Sequence, residues 1–202
     1  MKYYNPEAIY PVRHIFDNPY VDVYHFHFSA GDELEKKGMG ITAIYAFTDL
    51  ELEVGLPENA PSKKKVLQLK KGEAACLDYG FIRFKNTSDR EMGFLAGIRR
   101  NRKLPQAADE VNLPGTNEVY VDDTLRVHSV TLESGQATEN WKAGHRFIYS
   151  MSDYIVEYNS KNMDPIVKSF KEGDVHWHDA DEHKIRVVGT GDATFLIVEF
   201  LK

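Results

Sequence analysis

The stretch GDVHWHDADEH, residues 173–183, sets three histidines, three aspartates and one glutamate into eleven positions. Imidazole nitrogens and carboxylate oxygens are the donors that hold zinc, iron, manganese or nickel. A catalytic divalent site needs about three of them converging, with a position left for water or substrate. Density along the chain is not convergence in space. In a strand, His176 and His178 share one face while Val175 and Trp177 share the other. Burying an indole removes roughly 150–250 Å² from water, so this reading turns Trp177 inward and the two histidines outward. If the interior is polar at this point the assignment reverses, and His178 becomes available to a site with His145 and His183. Asp179, Ala180, Asp181 and Glu182 read as a turn, where Asp is favoured by turn chemistry alone, and as a solvated acidic loop that raises the pKa of histidines beside it.

Other chemistry-bearing residues read more plainly. HFHF (25–28) places His25 and His27 on the surface, opposite a core pair, Phe26 and Phe28. Cys76 is the only cysteine and can form no internal disulfide, which fits a reducing compartment and a cytoplasmic protein. Asn86-Thr87-Ser88 matches a glycosylation sequon that means little in such a compartment. No P-loop, G-x-G-x-x-G, H-E-x-x-H or C-x-x-C pattern is present. The 202 residues carry 25 basic and 31 acidic side chains, a net charge of -6, which argues against nucleic acid as a partner. The basic clusters at Lys63–Lys65 and Arg99–Lys103 are short and read as solvated charge. The first residues lack the apolar region of a signal peptide, and no apolar run approaches membrane-spanning length.

The elements that must carry these residues come in two copies. Residues 20–54 align without a gap on 124–158 at an offset of 104, with eight identities: Val23/Val127, Gly31/Gly135, Glu35/Glu139, Gly40/Gly144, Ile44/Ile148, Tyr45/Tyr149, Asp49/Asp153 and Glu53/Glu157. Chance pairing would give about two. The stretch 69–98 corresponds to 170–200 with small gaps, each opening on Lys-x-Gly-acid. YVDVYHFHF and TLRVHSVTL alternate with period two, and AIYAFTDLELEV and FIYSMSDYIVEY each read as two strands joined by a tight turn. The expected organisation is an arm (1–19) with turn signals at Pro6, Pro11 and Pro19, a first unit (20–98), a Pro- and Asn-rich linker (99–120) with a helical turn at 105–111, and a second unit (121–202). Turn signals every 8–12 residues place each unit among the β-sandwiches and barrels.

On these residues the chain resembles the cupin superfamily. In the second unit, GQATENWKAGHRFIYSMSD follows the first cupin motif from Gly135, and GDVHWHDADEHKIRVVGTGD follows the second from Gly173-Asp174 to the Gly191-Asp192 turn. The resemblance implies an all-β protein of two tandem jelly-roll barrels, a bicupin. It puts His183 on the second motif's histidine and His145 on the first motif's glutamate. The H-x-H pair falls on Thr138 and Asn140, or on Glu139 and Trp141 if the spacer is one shorter. In the first unit the corresponding positions are Leu34, Lys36, Ile41 and Gly80, so no ligand set survives there.

Two functions follow as expectations. The first is a metal-free site in the second barrel for a small polar or carboxylate molecule, lined by Asn140, His145, Arg146, Tyr149 and His183, with the first barrel structural. The alternative is a metal-dependent isomerase, hydrolase or dioxygenase. There His145 and His183 hold a divalent metal (Zn, Fe, Mn or Ni), completed by His178 or Glu139. Metal-free acid–base chemistry through His145 and a tyrosine is a third possibility. A monomer and a homodimer are both compatible with two fused units, and Tyr3 and Tyr4 are candidate caps for a barrel or a partner.

Overall fold

The computed structural model describes residues 11–35, 40–55, 64–77, 83–100, 102, 113–160 and 164–201. The expected helical turn at 105–111, and the readings placed on Tyr3, Tyr4, Pro6, Lys36 and Gly80, lie outside them. Among the described residues the secondary structure is strand throughout, and the chain divides into two compact units, Met1–Arg100 and Asn101–Lys202.

The first unit contains β1 (Val12–Asp17), β2 (Val21–Phe28), β3 (Glu33–Glu35), β4 (Thr42–Ala46), β5 (Leu50–Gly55), β6 (Lys64–Leu69), β7 (Ala74–Leu77), β8 (Arg83–Asn86) and β9 (Met92–Arg99). They form two antiparallel sheets, ordered β1-β2-β9-β4-β7 and β3-β8-β5-β6. The second unit contains β10 (Thr116–Val121), β11 (Leu125–Leu132), β12 (Trp141–Ala143), β13 (Arg146–Ser150), β14 (Tyr154–Ser160), β15 (Ile166–Phe170), β16 (Val175–His178), β17 (Asp181–Val187) and β18 (Ala193–Phe200). Its sheets run β10-β11-β18-β13-β16 and β12-β17-β14-β15, the first unit's order with nine added to every strand. Both flanking segments contribute an edge strand: β1 forms within the arm and pairs with β2, and β10 forms within the linker and pairs with β11.

The repeated residues have repeated roles. Gly31 and Gly135 turn the chain at φ 79° and 80°, and Gly72 and Gly173 at 88° and 87°, a left-handed conformation that glycine adopts without steric cost. Asp49 accepts from the Lys71 amide at 3.0 Å and pairs with Lys70, while Asp153 accepts from the Glu172 amide at 2.9 Å and pairs with Lys171. Thr48 and Ser152 each accept from a backbone amide at the start of the unit's last strand region, Gly93 and Thr194.

In each unit the core draws on both sheets, which therefore face each other across it. The first interior is filled by Phe26, Phe28, Phe84 and Phe94, with Phe26 and Phe94 stacked at 4.6 Å. His25 and His27 lie on the opposite, partly exposed face of β2, as the HFHF alternation predicts. In the second interior Val130, Leu132, Ile148, Val156, Ile185, Val187, Phe195 and Ile197 fill one end. The other end is polar.

Candidate functional site

Strand alternation and register build that polar end. Ile148 of β13 and Phe195 and Ile197 of β18 face the core, so Arg146 and Glu199, two positions away on their strands, share that face. Across the sheet Arg146 lies opposite Glu199 on one side and His178 on the other, and Glu199 lies opposite Arg126 of β11. The next residues inward on β13 and β16, Ile148 and His176, are likewise paired. From the facing sheet, β17 carries Ile185 and Val187 into the core, and the same period brings in His183 and Asp181.

Asp181 is the hub. Its Oδ1 accepts from Arg146 Nη2 at 3.0 Å, and its Oδ2 lies 2.9 Å from His183 Nδ1 and 4.0 Å from His178 Nδ1. The 2.9 Å approach is not aligned as a hydrogen bond. Both His183 ring nitrogens are buried without a hydrogen-bond partner, as are both of His176. Rings wall the group: His178 stacks on His183 at 5.8 Å, Tyr158 lies 5.5 Å from each, and Phe170 stacks on His176 at 4.3 Å. Trp141 packs 4.9 Å from His183 and beneath the Arg146 guanidinium at 4.7 Å. Arg146 is wholly buried and also donates from Nη1 to the Gly144 carbonyl at 2.8 Å.

The surroundings fix the charges. Burial, then the neighbouring His178 and the cations Lys168 and Arg146, push the His176 imidazole down to about 3. Burial leads in lowering His178 as well. For Asp181 burial acts upward, but the two imidazoles and the Arg146 guanidinium overrule it and hold the carboxyl well below the usual carboxylate range. Burial raises the Tyr158 hydroxyl, so it stays protonated. A neutral His178 imidazole beside an ionised Asp181 carboxylate is the combination that a divalent cation requires. One ligand atom from each of His178, Asp181 and His183 lies within 4.8 Å of the others, the grouping of this kind among the described residues. The donor set suits zinc, iron, manganese or nickel.

No protein-family model matches the sequence, and comparison with curated proteins finds no match. Solved structures do match. A tryptophan variant of Bacillus subtilis oxalate decarboxylase superposes with a TM-score of 0.65 at 13% identity, over 91% of this chain and 69% of that chain. The same enzyme at pH 4.6 gives 0.66 at 12%, over 91% and 68%. A structure concerned with the Mn(II) centres of that enzyme gives 0.64 at 11%, over 91% and 69%. The fold is the cupin fold. At such identities the likeness extends to architecture alone.

Within this cupin fold the sequence-derived candidates separate. Arg146, His178 and His183 meet at the polar end. His145 does not join them: its ring stacks on Trp177 at 6.0 Å, and its Nδ1 lies 3.3 Å from Asp179, which also accepts from the Trp177 indole. Arg146, one position on, faces the core in its place. Tyr149 alternates with Ile148 and so shares the Phe147 face, away from the site. Glu139 and Asn140 are exposed and line an outer groove with Trp141, Lys142 and Glu182. The expected facing of β16 is reversed, with His176 and His178 turned to the core side and Trp177 away. Asp181 belongs to β17 rather than to a solvated turn. The alternation Asp181, His183, Ile185, Val187 carries the signal for it; Tyr158 follows from Tyr154 and Val156 in the same way.

Proposed function

We propose that the second unit is a divalent-cation-dependent cupin site for a small carboxylate, in a bicupin whose first unit is scaffold. The observation that carries this reading is the convergence of His178, Asp181 and His183, with His183 Nε2 buried and without a hydrogen-bond partner. A buried polar group left unpaired costs about 1–3 kcal/mol, and a cation takes up nitrogen lone pairs that no protein group uses. Those three residues would hold it, and when bound it would act as a Lewis acid or activate water. The chain's own groups do the rest. Arg146 presents a guanidinium fixed by Asp181, Gly144 and Trp141, suited to orienting a carboxylate. Tyr158 supplies a protonated hydroxyl, and the apolar end of the core keeps water out. The scaffold role of the first unit rests on the four phenylalanines that fill its interior.

Elemental analysis of the purified protein, and of a double variant His178→Ala/His183→Ala, tests the reading. The expected result is about one zinc, iron, manganese or nickel per chain, falling at least tenfold in a double variant that keeps its circular dichroism. Equal metal content in both proteins would sink it. A second reading, metal-free binding of a carboxylate, is favoured by the Arg146 contact, which already balances the Asp181 charge at 3.0 Å. It predicts metal-free protein that still binds carboxylates.

A further inference from the structure

Glu199 has no part in that cluster, yet it is 1% exposed. Its Oε1 accepts from the Gly144 amide at 2.9 Å, and its Oε2 is buried without a hydrogen-bond partner, 3.7 Å from Arg126 Nη1. Gly144 is thus held on both sides of its Cα, its N–H by Glu199 and its carbonyl by Arg146. Register sets Arg126, Glu199, Arg146 and His178 in one row across four adjacent strands, each about 4.7–4.9 Å from the next strand. The charges alternate from Arg126 through Glu199 to Arg146, whose guanidinium meets Asp181 of the facing sheet. We propose that Glu199 is the positioning residue of the anion site: it fixes Arg146 through Gly144 and takes up a proton when a carboxylate arrives beside that guanidinium.

The groups facing Glu199 make the coupling concrete. Arg126 and His128 face it from β11, Arg146 from β13, and the Gly144 amide from the segment before β13. His178 and Asp181 lie beyond Arg146. A carboxylate at Arg146 adds negative charge where Asp181 already pairs with the guanidinium and Glu199 sits opposite on the neighbouring strand. Of the two acids, Asp181 is held ionised by its cationic and imidazole neighbours, whereas burial pushes the Glu199 carboxyl up against the pull of Arg126, the Gly144 amide and Arg146. Glu199 therefore takes the proton, on Oε2, the oxygen that accepts no hydrogen bond. Arg126, 21% exposed, marks the side from which solvent supplies it. The inference rests on Arg146 as the anion's partner and not on a bound cation.

Calorimetric titration of EDTA-treated protein with acetate, in buffers of different ionisation enthalpy at neutral pH, reads the linkage. Wild-type protein is expected to bind acetate with net proton uptake, up to about half a proton per site. Glu199→Gln is expected to bind it without uptake and with an affinity that no longer changes with pH. Proton uptake undiminished in Glu199→Gln would overturn the proposal, as would absence of acetate binding to the wild type. Should the variant not fold, the ¹³C-carboxyl titration of Glu199 in wild-type protein decides instead. Acetate must raise its apparent pKa by roughly one unit, and an unchanged titration refutes the coupling. Metal content plays no part in either readout, so a failed cation reading leaves this result interpretable.

Discussion

Arg146 and Asp181 are an unequal pair, the guanidinium wholly buried and the carboxylate about a third exposed (36%). Removing the carboxylate strands a buried charge, whereas removing both charges does not. Asp181→Ala should therefore cost about 2–3 kcal/mol in urea unfolding, at or below the low end for buried pairs because of that exposure. Arg146→Met combined with Asp181→Ala should recover at least half of the loss. His176 gives the pH dependence. Its folded-state pKa is pushed down to about 3, so above the unfolded value near 6.5 it is neutral in both states and its stability contribution is complete. As pH falls from about 6.5 towards 3, only the unfolded chain takes up the proton, and stability drops by up to about 1.4 kcal/mol per pH unit from this group. In EDTA, His176→Phe should flatten the acid limb of the stability curve by that slope; an unchanged limb would place the titration elsewhere.

At the scale of elements, side chains lock strand ends that the backbone ladders leave open. Asn86, at the end of β8, is fully buried. Its amide donates to the carbonyls of Ser29 at 2.9 Å and Arg90 at 2.7 Å, and its oxygen accepts from the Ser88 amide at 2.9 Å. The sequon reading of this asparagine thus gives way to a structural one, since a wholly buried side chain cannot accept a glycan. Asn86→Ala leaves several buried polar groups unpaired and should destabilise the first unit by roughly 2–4 kcal/mol in chemical denaturation. Legibility varied from strand to strand. In the second half of β2 the buried Phe26 and Phe28 alternate with the partly exposed His25 and His27, so the alternation identifies the two phenylalanines directly. In β13 all five residues are buried, so hydrophobicity gives no contrast between its faces, and nothing local separates Arg146 and Ile148 from Phe147 and Tyr149. The start of β17 was obscured differently: an Asp-rich run satisfies turn chemistry and a strand terminus equally well.

For the whole chain, one topology occurs twice with different interiors, an aromatic cluster in the first unit and a polar end in the second. A cation that binds only the folded second unit stabilises it by about 2.7 kcal/mol at a hundred times its Kd. Amide exchange in β16 and β17 should then slow on adding zinc or manganese, while exchange in β2 and β9 stays as it was. Uniform slowing across both units would contradict a site confined to the second. The sequence by itself determined the all-β class, the duplication and the location of the turns. These are written locally, in period-two alternation and in glycines that must adopt positive φ at matching positions. It also tied His176 and His178 to one face. Only the tertiary structure decided which face that was, and that Arg146 and Asp181 rather than His145 gather with His183 at the polar end. Alternation fixes which residues point together. Which side is inside depends on the sheet that packs across from them, a long-range relation that no local pattern encodes.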